Sequence, residues 1–89
     1  MDKFEVILVS HALKFYKNCS LELSGRLNKC FESLETNPFY GPNIKRLRGE
    51  EKRYRYRVGD YRVIYSIDKN PKKVIVTLIS QRPSAYRNI

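Results

Sequence analysis

The sequence predicts an α+β fold in which two helices pack on one face of a small, largely antiparallel twisted sheet. Three observations lead to this prediction: an early apolar β-rich run, two helical segments, and three later strand-like runs separated by turn sequences. The predicted order of elements is therefore β-α-α-β-β-β. The 89 residues contain no linker, repeat or low-complexity tract, so we expect a single domain over residues 1–89.

The N-terminal half supplies the first strand and both helices. Residues 3–9 are apolar and β-rich, and Ser10 offers an N-cap oxygen to a short helix. A longer helix is predicted over 21–35, where apolar residues recur on one helical face: Leu23, Leu27, Cys30, Phe31 and Leu34. Gly25 weakens this helix by about 1 kcal/mol without overturning the prediction. The stretch TNPFYGPN at 36–43 ends it with two prolines and a glycine.

The C-terminal half supplies three strands that two turn sequences separate. β-branched and aromatic residues dominate all three runs, 52–58, 61–67 and 74–80. Gly59-Asp60 has the length and composition of a two-residue type II′ hairpin loop, and DKNPK at 68–72 is a turn by composition. The shorter loop also sets the register of the two strands that it joins.

This register divides the hairpin into two chemically different faces. It pairs Val58 with Tyr61, and every further pair follows from that one. One face is expected to lie under the helices and is apolar: Tyr54, Tyr56, Val58, Tyr61, Val63 and Tyr65. The other is expected to be exposed and cationic, with Ile64 as its one apolar member: Arg53, Arg55, Arg57 and Arg62.

Positive charge is concentrated in this part of the chain. Eighteen basic and nine acidic residues give a formal net charge of +9, with a pI near 9.8. Residues 45–62 hold eight basic and three acidic side chains, which leaves +5 in about a fifth of the chain. Such a balance indicates a polyanionic partner: nucleic acid, a membrane surface or an acidic protein.

The arginines of the hairpin need a physical reason to share one face. Like charges directly opposite each other on antiparallel strands are destabilising, whereas opposite charges contribute roughly 0.2–1 kcal/mol. One interpretation is a solvated surface that happens to be rich in arginine. The other is an anion site, because planar guanidinium groups bind phosphate oxygens two at a time. The regular alternation of tyrosine and arginine favours the anion site.

Several other classes of protein fit the sequence poorly. The apolar run at 6–9 is only strand-sized and has no signal-peptide features, so we expect a cytoplasmic protein with no membrane partner. Cys19 and Cys30 lack Cys-x-x-Cys spacing and are expected to be small apolar residues. His11 is the one histidine and is expected at the surface or at a helix cap. We therefore expect neither a metal site nor a cofactor.

Three motifs together resemble a known family. These are LRG at 47–49, YRYRVGDYRVIYSID at 54–68 and ISQRPSAYR at 79–87. They resemble the RelE branch of the RelE/ParE toxin superfamily of type II toxin–antitoxin systems. The likeness is strongest over 47–87, and the element order extends the RelE-like fold to the whole chain. The motif VGDYRVIY is typical of the superfamily and does not choose between its branches.

The resemblance implies a ribosome-dependent endoribonuclease that cuts messenger RNA in the ribosomal A site without a metal. In that family the 2′-hydroxyl attacks the adjacent phosphate and leaves a cyclic phosphate and a free 5′-hydroxyl. The implied partners are a cognate antitoxin protein, the ribosome and messenger RNA. Operator DNA is expected to be contacted only through the antitoxin complex.

The resemblance also implies roles for particular residues. The predicted catalytic set comprises Arg55, Arg57, Arg62, Arg82 and Tyr86, and the predicted RNA-binding set comprises Lys45, Arg46, Arg48 and Arg53. Arg62 matches the arginine that stabilises the scissile phosphate, and Tyr86 matches a tyrosine that stacks on a base or helps proton transfer. Neither Arg62 nor Arg82 is expected in the core. Arginine is a poor general base because its pKa exceeds about 12, so the base stays unassigned, with Tyr86 the best candidate.

Two alternatives stay open. One is a ParE-like toxin that inhibits DNA gyrase and has no nuclease chemistry. The other is a non-catalytic, degenerate module that binds nucleic acid within a repressor complex, which a basic face alone would support equally well. The clustered strand arginines followed by the late Arg82 and Tyr86 favour the RelE branch.

Overall fold

The structure, a computed structural model, describes residues 3–47, 49 and 52–81. Within these ranges it contains two helices and five strands: β1 Glu5–Leu8, α1 Ser10–Asn18, α2 Leu21–Thr36, β2 Ile44–Leu47, β3 Arg53–Val58, β4 Tyr61–Lys69 and β5 Lys72–Ser80. The strands form one sheet in the order β1-β5-β4-β3-β2. β1 pairs with β5 in parallel and all other neighbours are antiparallel. The predicted α+β class is confirmed.

β2 is a strand that sequence analysis did not predict. It is only four residues long and follows the turn-rich segment at 36–43, so its pattern is too short to stand out. It pairs with β3, so that Lys45 lies opposite Arg55 at the edge of the sheet. The backbone N–H of Arg57 donates to the carbonyl of Asn43 at 2.9 Å and extends this pairing. The edge strand therefore adds a cation beside the predicted arginine face.

The helices begin and end close to the predicted positions. α2 starts with Ser20 as its N-cap, whose Oγ accepts a hydrogen bond from the backbone N–H of Leu23 at 3.1 Å. The expectation for the shorter helix is wrong by one residue, because Val9 is the N-cap and Ser10 already lies within α1. Within the described ranges, no helix has the length and apolar character needed to cross a membrane.

The core lies between the helices and one face of the sheet, as predicted. Its buried members come from both layers: Ala12, Leu23, Leu27, Cys30, Leu34, Val58, Val63, Tyr65, Val74, Val76 and Ile79. Tyr65 is fully buried, and its hydroxyl donates to the carbonyl of Pro38 at 2.8 Å. Its ring stacks on Tyr54 with centroids 5.6 Å apart. The tyrosines of the hairpin thus supply much of the apolar bulk of the domain.

The cysteines behave largely as structural residues. Burial raises the pKa of the Cys30 thiol to about 12, so Cys30 stays protonated and unreactive at neutral pH. Cys19 is half-buried, and its Sγ donates to the carbonyl of Tyr16 at 3.3 Å. The prediction of an apolar role is confirmed for Cys30 and holds in part for Cys19.

The β3–β4 hairpin has the predicted turn and register. Gly59 adopts a φ of 58°, whereas Asp60 does not enter the left-handed region, as a type II′ turn requires. Val58 pairs with Tyr61 and the register continues unbroken to Arg53 opposite Ser66. A Cβ at position 59 would also collide with the guanidinium of Arg26 on α2. That guanidinium is the far end of a flexible side chain and can move aside, so it is the backbone conformation that favours glycine there.

Candidate nucleic-acid interface

The face of the sheet opposite the helices, here called the outer face, is built of rows that cross the strands. The first row follows the register from β3 through β4 to β5 and contains Arg57, Arg62 and Ser80. The second row contains Lys45, Arg55, Ile64 and Leu78. The third contains Leu47, Arg53, Ser66, Ile75 and Ile7. These three rows thus have a cationic half on β2, β3 and β4 and a largely apolar half on β5 and β1, and a fourth row follows with Asp68, Lys73 and Glu5.

Arg62 lies in the first row, on the strand where the cationic half borders the apolar half, and is buried. Only 5% of the residue is exposed, although it belongs to the outer face and not to the apolar core. The expectation of a fully exposed face is wrong here, because β4 is a central strand that β3 and β5 flank on both sides. Ile64, its neighbour in the second row, is buried as well, at 4% exposure.

The guanidinium of Arg62 is poorly compensated within the described part of the chain. Its Nη1 donates to the carbonyl of Asp60 at 3.4 Å, which is a long hydrogen bond. Its Nε is buried and has no partner. No described carboxylate forms an ion pair with it. Burying a cation without an anionic partner is strongly unfavourable, so this site is poised to accept an anion.

Two further buried polar atoms without partners lie beside Arg62. They are Nε of the half-buried Arg55 and Oγ of Ser80. Among the described residues these three atoms make up the full set of buried side-chain N and O atoms that lack partners. They come from three adjacent strands and two adjacent rows of the outer face. The buried side-chain atoms that lack partners in the described part of the chain are therefore gathered at one place.

Ser80 is a site residue that sequence analysis missed. Between Ile64 and Tyr65 the β4–β5 register shifts by one residue, which leaves Thr77 as an extra residue in β5. Without this bulge Ile79 would lie opposite Arg62, and the shift puts Ser80 there instead. A signal was present: the core residues Val74 and Val76 are two apart, but the next, Ile79, is three further on.

The structure gathers most of the predicted site residues and separates one of them. Lys45, Arg53 and Arg57 lie exposed on the outer face around Arg55 and Arg62. Arg46 instead pairs with Tyr54, which places it on the helix-bearing side of β2, because alternate residues of a strand point to opposite faces. Three other predicted residues lie outside the described residues: Arg48, Arg82 and Tyr86.

A general base is not evident in the described cluster. The three rows contain no aspartate, glutamate or histidine among the residues that the structure describes. His11 is exposed on α1, on the other side of the sheet, as the sequence predicted. The described residues of the cluster can therefore bind an anion and stabilise negative charge.

Comparison with known proteins decides the family. The family described as "ParE toxin of type II toxin-antitoxin system, parDE" matches residues 9–84. A protein of Methanocaldococcus jannaschii named "Putative toxin RelE1" is 34% identical over 88 residues, which cover 97% of this chain and 98% of that protein. The chain belongs to the RelE/ParE toxin superfamily.

Solved structures of RelE/ParE toxins share the fold. The RelE–RelB complex of Pyrococcus horikoshii matches with a TM-score of 0.79 and 25% identity, over 93% of this chain and 98% of that one. A "YoeB/ParE toxin" of Agrobacterium tumefaciens matches with a TM-score of 0.77 and 13% identity, over 89% and 99% of the two chains. This RelE/ParE toxin is thus similar in fold to proteins named for both branches, so the branch must be argued from its site.

Proposed function

We propose that this RelE/ParE toxin is an endoribonuclease that cleaves messenger RNA in the ribosomal A site without a metal ion. The observation that carries the proposal is the buried Arg62, whose Nε lacks a partner, on a cationic face. An RNA phosphate supplies both the charge and the hydrogen-bond acceptors that this guanidinium lacks. The exposed Lys45, Arg53 and Arg57 lie on β2 and β3, to one side of Arg62 on the same face, where they can hold neighbouring phosphates.

The proposed chemistry is an internal displacement at phosphorus. The 2′-oxygen forms a bond to the adjacent phosphorus, the bond to the 5′-oxygen breaks, and the products are a cyclic phosphate and a 5′-hydroxyl. Negative charge grows on the non-bridging oxygens as the reaction proceeds. Arg62 and Arg55 stabilise that charge from fixed positions in the sheet, which favours the transition state over the ground state.

Two proton movements accompany this displacement. The 2′-hydroxyl loses its proton and the leaving 5′-oxygen gains one. Arginine is unsuited to accept the first proton, because its pKa exceeds about 12. Tyr86, outside the described residues, remains the proposed participant in proton transfer, and Arg82 and Arg48 remain proposed RNA contacts. The contribution of the described cluster is orientation and charge stabilisation.

We further propose a cognate antitoxin that covers the outer face. The Pyrococcus horikoshii relative was solved as a complex of RelE with RelB. Here the cationic half of the outer face adjoins the half-buried apolar side chains of Ile7, Ile75 and Leu78. An amphipathic segment with acidic and apolar residues fits both halves at once. Contact with operator DNA is proposed to occur only through that complex.

Cleavage can be tested in a reconstituted translation reaction. Primer extension on ribosome-bound message should show new 5′ ends inside translated codons, with little cutting of naked RNA. Arg57→Ala should remove most of this activity. Arg46→Ala is the matched control, since it removes the same charge from the opposite side of the sheet edge and should cut normally. Intact messages with the wild-type toxin would reject the proposal.

A ParE-like gyrase inhibitor is the second candidate. The observation in its favour is the match of residues 9–84 to the family described as ParE toxin. A supercoiling assay with purified gyrase separates the two functions. Gyrase inhibition or gyrase-dependent DNA breaks together with intact messages would establish the ParE function. RNA binding without either activity would indicate a non-catalytic module.

A further inference from the structure

We propose that Ser80 is a further substrate-contacting residue that completes, with Arg55 and Arg62, a seat for one tetrahedral oxyanion. In the toxin's reaction this anion is the phosphate at which the RNA is cut, so that part of the inference rests on the proposed function. The seat itself rests only on the structure. Free phosphate and an RNA phosphate share the chemistry that it recognises.

The first argument is the coincidence of the unpaired atoms. Buried side-chain polar atoms nearly always have a partner, so three unpaired ones in one place need an explanation. Here they are Nε of Arg55, Nε of Arg62 and Oγ of Ser80, and none is compensated within the described part of the chain. A shared ligand explains all three together.

The second argument is the geometry of the sheet. Ser80 lies directly opposite Arg62 in the antiparallel β4–β5 pair. Side chains in such pairs have Cβ atoms about 4.5–5.5 Å apart and leave the same face. Arg55 lies one row away on β3, the strand on the other side of β4. A single anion above Arg62 can therefore be reached from all three strands.

The third argument is the chemistry of the three groups. Each guanidinium Nε–H is a donor with no acceptor capacity, and a serine hydroxyl both donates and accepts. A tetrahedral dianion offers several oxygens to several donors at once, at distances of about 2.7–3.0 Å. Two cations balance its charge, and the neutral hydroxyl of Ser80 adds a further donor without added repulsion.

The first experiment measures phosphate binding by thermal unfolding of the free full-length toxin. Wild type, Ser80→Ala and Ser66→Ala are titrated with inorganic phosphate at constant ionic strength. Ser66 is the matched control, because it is a serine on the same face but in the third row. Phosphate stabilises proteins in general, so the saturable part of the increase in Tm is the quantity compared.

Wild type and Ser66→Ala should bind phosphate with the same midpoint. The midpoint of Ser80→Ala should rise about tenfold or more, the factor expected for a lost hydrogen bond to a charged acceptor. Without phosphate its Tm should equal or exceed that of wild type, because the hydroxyl has no partner to lose. Equal midpoints in all three proteins, or no saturable effect in wild type, would overturn the seat. A lower Tm with an unchanged midpoint would also overturn it and assign Ser80 a purely structural role.

The second experiment measures single-turnover cleavage of ribosome-bound message. Ser80→Ala should cut about ten- to a hundredfold more slowly than wild type, and Ser80→Thr should recover part of the rate because it keeps the hydroxyl. If Ser80 governs phosphate binding but the wild type does not cut, the seat stands and the nuclease proposal fails. If Ser80→Ala cuts as fast as wild type, the seat fails and the nuclease proposal stands.

Discussion

Replacing Arg62 by methionine should stabilise the free toxin while abolishing its activity. Arg62→Met keeps a long side chain but removes a charge that is 95% shielded from solvent and has an unpaired Nε. Relief of that unsatisfied donor is worth about 1–3 kcal/mol. Relief of repulsion from Arg57, its direct partner on β3, adds roughly 0.2–1 kcal/mol. The long hydrogen bond to the Asp60 carbonyl at 3.4 Å is lost, at a cost of about 1 kcal/mol.

The net expectation is an increase of about 0.2–3 kcal/mol, centred near 1.5 kcal/mol, in the free energy of unfolding. Urea denaturation followed by far-UV circular dichroism measures it, with a midpoint shift of about 1 M. Arg57→Met is the control, because it removes the same charge and the same repulsion from an exposed position. Its effect should stay within about 1 kcal/mol. A variant Arg62→Met that is less stable than wild type would show that the buried charge is compensated, and the reasoning would fail.

Three further predictions concern the fold and the face that we propose to bind RNA. Gly25→Ala should raise the free energy of unfolding by about 0.5–1 kcal/mol, because alanine favours the helix more than glycine does and nothing lies within 4 Å of the added Cβ. Urea denaturation measures this change, and any loss of stability would contradict the prediction. Tyr65→Phe should lower the free energy of unfolding by about 1–3 kcal/mol, since the buried Pro38 carbonyl loses its donor at 2.8 Å. An unchanged free energy in the same assay would show that this hydrogen bond does not stabilise the fold. Lys45→Ala should weaken binding to single-stranded RNA and make the fall of log K with log salt less steep, by about 0.7 in the slope. Arg46→Ala should have neither effect. Fluorescence-anisotropy titrations at several salt concentrations measure both quantities. Equal effects of these two variants would mean that RNA does not distinguish the two sides of the edge strand.

The hairpin was predictable because its register depends on local chemistry alone. A Gly-Asp loop of two residues permits one pairing, and alternation then assigns every side chain of the two strands to a face. The longer helix was predictable for a similar reason, because its apolar stripe extends over three turns.

The burial of Arg62 was not predictable in the same way. Alternation assigns a face, but exposure depends on how many strands flank the residue, which is a property of the whole sheet. The position of Arg46 was missed because β2 is too short to show a pattern, so its cations could not be divided between two faces. Charge density along the chain indicated the general location of the site, and tertiary pairing decided which cations share it.

The extra residue in β5 changes the local course of that strand without changing which of its side chains face the core. Removing Thr77 would leave Val76, Leu78, Ile79 and Ser80 in regular alternation opposite the same partners on β4, so the deletion should take away the bulge while Ile79 stays in the core and Ser80 stays opposite Arg62. Substitutions at this exposed position should be tolerated, since its Oγ1 makes only a long contact of 3.3 Å to the carbonyl of Ile64. Among homologous toxins, position 77 should therefore vary in residue type and be absent from some chains, whereas the residues on either side should keep their alternation between core and outer face.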